Sequence, residues 1–309
     1  MLGDGNYLYV KYLYFTFTQL IYITVFRRFI NRTLPLTRIK IGIAKVLYVF
    51  VSIVYGKKPR IVTKNGINYE LDISEGIDMS LFLFGSYQTH ITNNKLISLP
   101  KDAVIIDAGA NFGVMSLQFA NIATEGKIYS FEPTHYALAK FRRNLELNPG
   151  LAVRIEVVNS FLSDKTVQNA DIKAYSSWKL NNEKSVEMHP EHLGAVKSSD
   201  GVGSVTLDDF CSSRQLQRLD FIKIDTDGHE YKILSGAKEA IKKYQPQIIF
   251  EIGLYVMEEK GIDFSFYTNF FKDLNYNMYH SVNSSLITFE NYKDYIPKRE
   301  TIDIIARHI

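Results

Sequence analysis

The sequence predicts an α/β protein: an open, mostly parallel sheet with helices on both faces, preceded by a separate helical segment. Three observations predict it. β-rich and helix-rich stretches alternate from residue 103 onward, a glycine-rich turn closes the first strand of that alternation, and the charge balance breaks sharply near residue 60.

The 309 residues, 46% hydrophobic and 22% charged, suffice for one large or two modest globular domains and exclude a disordered or collagen-like polymer. The single cysteine, Cys211, excludes an intramolecular disulfide framework and a multi-thiolate zinc site. Residues 1–60 carry ten Lys/Arg against one acid, Asp4, for +9, whereas the remaining 26 Lys/Arg and 32 Asp/Glu give −6. That first segment also holds twelve of the forty Tyr and Phe residues, a composition suited to an interface or a membrane surface. Its uncharged run Tyr12 to Phe26 falls short of the roughly 20 apolar residues needed to span a bilayer. A second helix is expected from about Leu36 to Tyr55, where Arg38, Lys45 and Ser52 recur every seven residues as a narrow polar stripe. Lys45 sits mid-helix, so docking on the next domain is favoured over spanning, with peripheral membrane contact through residues 1–60 as the alternative. The positive cluster follows the apolar run instead of preceding it, so no cleavable signal peptide is read and a cytoplasmic address is expected.

Residues 61–100 read as a preamble or cap: β-rich pieces at Ile61 to Val62 and Tyr69 to Ile73, then helices around Asp78 to Tyr87 and Thr92 to Leu99, closed by Pro100. Ala103 to Asp107 is the first buried strand. Val114 to Ala123 follows as a helix with Val114, Leu117 and Ala120 or Ile122 available for the core. Lys127 to Phe131 is a strand, Thr134 to Asn148 a helix stopped by Pro149-Gly150, and Val153 to Val158 the third strand. A polar, irregular stretch runs from about Ser163 to Val202. The alternation then resumes with helix Leu207 to Leu216, strand Phe221 to Ile224, helix Tyr231 to Tyr244 and strand Gln247 to Glu251. Phe264 to Leu274 reads as a helix, and Met278 to Val282 and Thr301 to Ala306 as two last strands.

Open α/β sheets bind ligands at the C-terminal ends of their strands. The first strand ends in Asp107-Ala-Gly109-Ala-Asn111-Phe-Gly113, whose glycines permit a tight turn and close approach of a ligand. Asp107 is positioned either to anchor a ligand ammonium or to order the loop. The dinucleotide pattern Gly-x-Gly-x-x-Gly would need glycine at Asn111 and Val114 and is absent, which argues against a nicotinamide oxidoreductase. Glu132, 25 positions after Asp107 at the end of the next strand, can accept both hydroxyls of a ribose or serve as a helix-start carboxylate. Together the two sites suggest an adenosyl amino acid.

Asp225 and Glu251 end neighbouring strands and are expected on the same rim, with an acceptor between them. Asp225 or His229 could remove a hydroxyl proton. Lys223 alternates with Asp225 along its strand and suits a structural ion pair; Glu230 suits the start of a helix. Asp225, His229 and Glu251 have no recognised metal-cage spacing, and no metal is expected. Tyr175 and Trp178 are candidates to line an acceptor pocket or anchor their loop, and His189 and His192 read as solvated loop residues.

Four stretches carry a specific resemblance: Val104-Ile-Ile-Asp-Ala-Gly-Ala-Asn-Phe-Gly113; Ile128-Tyr-Ser-Phe-Glu-Pro133; Phe161-Leu-Ser-Asp164 with Val205-Thr-Leu-Asp-Asp209; and Asp220-Phe-Ile-Lys-Ile-Asp-Thr-Asp-Gly-His-Glu230 leading to Gly236-Ala237. Over roughly residues 70 to 309 the chain resembles the FkbM family of S-adenosylmethionine-dependent methyltransferases. The resemblance implies a Rossmann-like class I methyltransferase sheet of seven strands over residues 101–309. It further implies S-adenosyl-L-methionine held by Asp107, Gly109, Asn111, Gly113 and Glu132, with Phe161 near the adenine, and a hydroxyl on a sugar, glycan or other natural product as acceptor. The chain departs from the family at Thr226-Asp227, where Val-Glu is usual, and at Gln88, where a glutamate is usual. Two other readings follow the +9 segment: a nucleic-acid methyltransferase, disfavoured by the segment's aromatic and aliphatic density, and a non-catalytic ligand-binding adaptor anchored by it.

Overall fold

Strands covered by helices on both faces are buried twice, and short runs such as Val-Ile-Ile and Phe-Ile-Lys-Ile have that character. The computed structural model describes residues 37–176, 179–180, 195–298 and 300–309. Its strands in chain order are β1 (Arg60–Lys64), β2 (Ile67–Leu71), β3 (Val104–Ala108), β4 (Lys127–Phe131), β5 (Ile155–Val158), β6 (Phe161–Leu162), β7 (Ala174–Ser176), β8 (Ala195–Lys197), β9 (Ser204–Val205), β10 (Phe221–Ile224), β11 (Gln247–Gly253), β12 (Tyr276–His280), β13 (Leu286–Ile287) and β14 (Thr301–His308). The main sheet has the order β13-β12-β14-β11-β10-β3-β4-β5. Strands β5, β4, β3, β10 and β11 run parallel, and β14 lies antiparallel between β11 and β12. The expected seven strands are thus present, joined at the edge by an eighth, the two-residue β13. Chain direction reverses outward from β3, which has β4 on one side and β10 on the other, so a crevice opens at its C-terminal end.

Alternation along each strand feeds two cores. Ile105, Phe221, Ile249 and Ile305 pack on one face with Val114, Leu117 and Phe119 of the helix Val114–Ile122. Ile106, Ile222, Ile248 and Phe250 pack on the other, against residues of helices Leu207–Ser213, Lys238–Tyr244 and Ser265–Asp273. Phe250 is fully buried, stacked on Tyr267 and Phe271 at centroid distances of 5.5 and 5.4 Å. Cys211 is buried here too, and burial foremost pushes its thiol up to about 12. The first face also carries two charges. Register sets Lys223 beside Asp107, and the Lys223 ammonium lies 3.5 Å from Asp107 Oδ1 and 3.2 Å from Asp225 Oδ2. Ser116 donates to Asp107 Oδ2 at 2.6 Å from the helix above.

Three expected elements differ, each for a local reason. The helix expected over Thr92 to Leu99 is replaced by the short Thr89–Thr92, because Asn94 turns the chain: its Oδ1 accepts from Leu96 N, and its Nδ2 donates to His90 O and Ser281 O. The helix expected over Tyr231 to Tyr244 is split into Glu230–Ser235 and Lys238–Tyr244. Gly236 there passes so close to the neighbouring chain that a Cβ would stand 2.1 Å from Ser163 O, and the second helix takes its cap from Asp208, which accepts from Glu239 N and Ala240 N. Pro149 ends the helix His135–Glu146 as expected but also begins another turn, Pro149–Ala152, since proline suits the first helical position. Ahead of the sheet, the expected N-terminal helix runs Thr37–Tyr55 and docks through Tyr48 on Ile73, Met79 and Leu180.

Replacing Phe250 with alanine leaves a cavity in the larger core and is expected to cost about 3–5 kcal/mol in urea unfolding. Lys223→Met should cost about 3–5 kcal/mol by stranding the buried Asp107 carboxylate, and adding Asp107→Asn should restore much of that loss. A single Lys223→Met with unchanged stability would show that the ion pair contributes nothing to the fold.

Candidate active site

The loop leaving β3 is shaped by three left-handed residues, Gly109 (φ 78°), Asn111 (φ 50°) and Gly113 (φ 84°). Two of them are glycine for reasons of packing within the protein. A Cβ on Gly109 would stand 1.9 Å from Asp225 O, and one on Gly113 would stand 2.1 Å from the Phe141 ring. Gly109 N and Ala110 N both donate to Phe131 O, at 3.1 and 2.9 Å, fastening the loop to the end of β4. The next residue, Glu132, completes the clasp. Its Oε2 accepts from Asn111 N at 2.9 Å, and its Oε1 accepts from Thr134 N at 2.8 Å and Thr134 Oγ1 at 2.5 Å. Burial raises the Glu132 pKa, against the lowering effect of those three hydrogen bonds. The carboxylate therefore orders both its own helix start and the glycine turn, with about one acceptor position left from roughly four.

A cavity of about 350 Å³ opens at the C-terminal ends of β3, β4, β10 and β11. Gly109, Asn111, Glu132, Phe161, Asp225, His229 and Glu251 all line it, so seven of the nine sequence-predicted site residues converge. Asp107 and Gly113 stand behind its wall: Asp107 is fully buried beneath Ser116 and Lys223, and Gly113 faces Phe141. Tyr87 and Gln88 from the preamble and Ile172 to Ala174, leading into β7, also line it. Trp178, His189 and His192 lie outside the described residues, as does the Tyr175 side chain.

One end of the cavity is rich in carboxyl groups, and they do not ionise alike. Burial opposes the charge on Asp225, yet the Lys223 ammonium, a 2.9 Å hydrogen bond from Gln88 Nε2 and nearby His90 together lower its pKa. Lys223 in turn is raised, since Asp225 and Asp107 outweigh the burial that would discharge it. With Asp225 ionised, its neighbours are suppressed. Burial and the Asp225 and Asp303 charges hold Glu251 well above the usual carboxylate range, although Thr301 Oγ1 donates to Glu251 Oε1 at 2.5 Å. Asp227, in the left-handed region at φ 52°, is raised to about 7 by burial and by Asp225, Glu230 and Glu132. Burial lowers His229, with Lys260 and Lys232 adding to the effect, while its Nδ1 lies 3.3 Å from Thr226 O. Glu230 serves the loop: its Oε1 accepts from Thr226 N, Thr226 Oγ1 and Gly228 N. Among the described residues no cluster of three or more His, Cys, Asp or Glu converges as a metal cage.

Sequence reasoning missed His90 and Asp303. Asp303 faces Glu251 across the β11–β14 register, and His90 Nε2 lies 2.5 Å from Asp303 Oδ2. The available signal was Thr301 and Asp303 alternating with isoleucines in the last strand, a polar pair on one side of an otherwise apolar run.

Comparison with known proteins follows this geometry. The family model for the methyltransferase FkbM domain matches residues 107–278. The 2-O-methyltransferase NoeI of Sinorhizobium fredii is 30% identical over 169 residues, 51% of this chain and 66% of that protein. The hexuronic acid methyltransferase AglP of Haloferax volcanii is 22% identical over 143 residues, 46% of this chain and 53% of that protein. The chain thus spans between half and two thirds of the length of these two relatives. A crystal structure of methyltransferase FkbM from Methylobacillus flagellatus is similar over 68% of this chain and 45% of that one, with 18% identity and a TM-score of 0.42. The family match covers more than half of the chain and runs from Asp107 through the rim carboxylates into β12, and the chain belongs to the FkbM methyltransferase family.

Proposed function

We propose that this protein is an S-adenosylmethionine-dependent O-methyltransferase acting on a hydroxyl of a sugar, glycan or other small natural product. The observation that carries the reading is a single cavity lined by the Gly109 turn and Glu132 together with Asp225, His229 and Glu251. Donor-binding and acceptor-binding groups lining one cavity are what an in-line transfer requires. The 2-O position in the name of NoeI supports a hydroxyl acceptor, and the hexuronic acid in the name of AglP supports the sugar reading.

The residues fit the donor: a carboxylate at the end of β4 retains acceptor capacity for a ribose hydroxyl, and Phe161 offers an apolar wall for an adenine. When bound, S-adenosylmethionine supplies a methyl group on a sulfonium; the acceptor oxygen gains the C–O bond as the C–S bond breaks, and the hydroxyl proton must leave. His229 is suited to take it. Its lowered pKa keeps the imidazole neutral at pH 7, and an Nδ1–H directed at Thr226 O leaves Nε2 to accept a proton. Asp225, ionised but engaged by Lys223 and Gln88, is the weaker base and orients the acceptor. Glu251, held protonated, can donate to an acceptor oxygen.

Calorimetric titration should show saturable S-adenosylmethionine binding that Glu132→Ala weakens at least about tenfold. No binding by the folded wild type would sink the reading. With donor saturating and a turned-over acceptor in hand, His229→Asn should lower kcat by about 10²–10⁴. Because His229 must be neutral and its pKa lies below 6.5, wild-type activity should persist down through pH 6.5 and fall only below the folded value. An acid limb that survives in His229→Asn would assign the base elsewhere, with Asp227 next in line.

A further inference from the structure

Helix Thr37–Tyr55 is apolar on two opposite faces. At about 100° per residue, Ala44, Leu47, Tyr48 and Val51 share the face packed on Ile73, Met79 and Leu180, where Tyr48 is only 7% exposed. Val46, Val49, Phe50, Ile53 and Val54, spaced i, i+3, i+4, i+7, i+8, form the other face and have nothing comparable against them among the described residues. Their exposures are 58, 54, 64, 75 and 73%. Single exposed aliphatics are ordinary, but a contiguous stripe of this kind marks an interaction site. Lys45 sits half-buried on the flank between the two faces, and Lys57 and Lys58 are exposed just beyond the helix end. The only acid within residues 1–60 is Asp4.

We propose that this face docks the protein on an anionic lipid bilayer. The helix lies flat, with Phe50, Ile53 and Val54 at the boundary between headgroups and acyl chains and Lys45, Lys57 and Lys58 reaching toward anionic headgroups. It lies on the membrane instead of crossing it because its opposite face is committed to the protein core, and no helix among the described residues is long and apolar enough to span. Charge decides between this occupant and the others. A second copy of the chain would set one basic flank against another, and residues 1–36, with four basic residues against Asp4, would bring like charge to like. Anionic headgroups complement both the apolar stripe and its basic edge.

The test is flotation of the full chain with phosphatidylserine–phosphatidylcholine vesicles and with phosphatidylcholine alone. The full chain should float with the first and about tenfold less with the second. Phe50→Glu/Ile53→Glu should abolish flotation without changing the thermal midpoint, since both side chains are exposed. Lys57→Glu/Lys58→Glu should reduce it about tenfold, leaving the apolar stripe intact. The proposal is overturned if the folded full chain stays soluble with both vesicles, or if the Phe50/Ile53 variant floats as well as its parent. It is equally overturned if sedimentation shows a dimer that this variant dissolves while the parent ignores vesicles.

Discussion

The site depends on one buried ammonium. Lys223 lies between Asp107 on the neighbouring strand and Asp225 at the end of its own, 3.5 and 3.2 Å away. A lysine buried among isoleucines would ordinarily discharge. The carboxylates on either side hold the Lys223 ammonium charged, and the ammonium in turn makes the burial of Asp107 tolerable. The pair also ties two loops into one object. The turn after β3 passes so close to the Asp225 carbonyl that Gly109 has no room for a side chain, and Asp225 N donates to Ala108 O at 3.1 Å. Moving either loop would break the charge pairing and the backbone contact at once.

That constraint sets the proton inventory of the cavity. Burial foremost, and then the charge that Lys223 and Gln88 hold on Asp225, push Glu251 and Asp227 upward and keep the Tyr87 phenol protonated. Asp225 is thus biased toward its charged form while Glu251 and His229, lining the same cavity, are biased toward their neutral forms. Environments that push neighbouring pKa values apart are how a site assigns acid and base roles. The departure at Gln88 makes sense in these terms: an amide donates to Asp225 Oδ2, whereas a glutamate there would face a like charge unless one of the two kept a proton.

The parallel framework was legible because its signals are local. Apolar runs of four or five residues, the glycine turn and the Pro149-Gly150 break each lie within one short window, and Lys127–Phe131 and Phe221–Ile224 come out with the expected limits. Glu132, Asp225 and Glu251 could be placed on one rim from strand ends alone, whereas Asp107, expected there too, lies buried behind the cavity wall. Long-range contacts were the illegible part. Asn94 turning the chain against Ser281, Gly236 yielding to Ser163 and Asp303 meeting Glu251 all depend on segments brought together by the sheet, which no window of sequence contains. Gly113 shows the same limit in reverse: its motif suggested a ligand, and the fold sets the Phe141 ring where a Cβ would go.

This division between local and remote signals bears on what the family match can tell. The matched span, residues 107–278, contains the glycine turn, Glu132, Phe161, Asp225 and Glu251. Tyr87, Gln88 and His90 precede it, and Thr301 and Asp303 follow it, yet these residues line the acidic end of the cavity or bond to the carboxyls there. The glycine turn and its clasp by Glu132 thus lie within the matched span, whereas the environment of Asp225 and Glu251 is finished by the preamble and the last strand. Under the proposed reading, the matched span holds the donor residues together with Asp225, His229 and Glu251, and segments outside it shape the wall around those acceptor-side groups. Remodelling residues 87–90 or 301–303 would change that wall and leave the two loops tied by the Lys223 pairing in place.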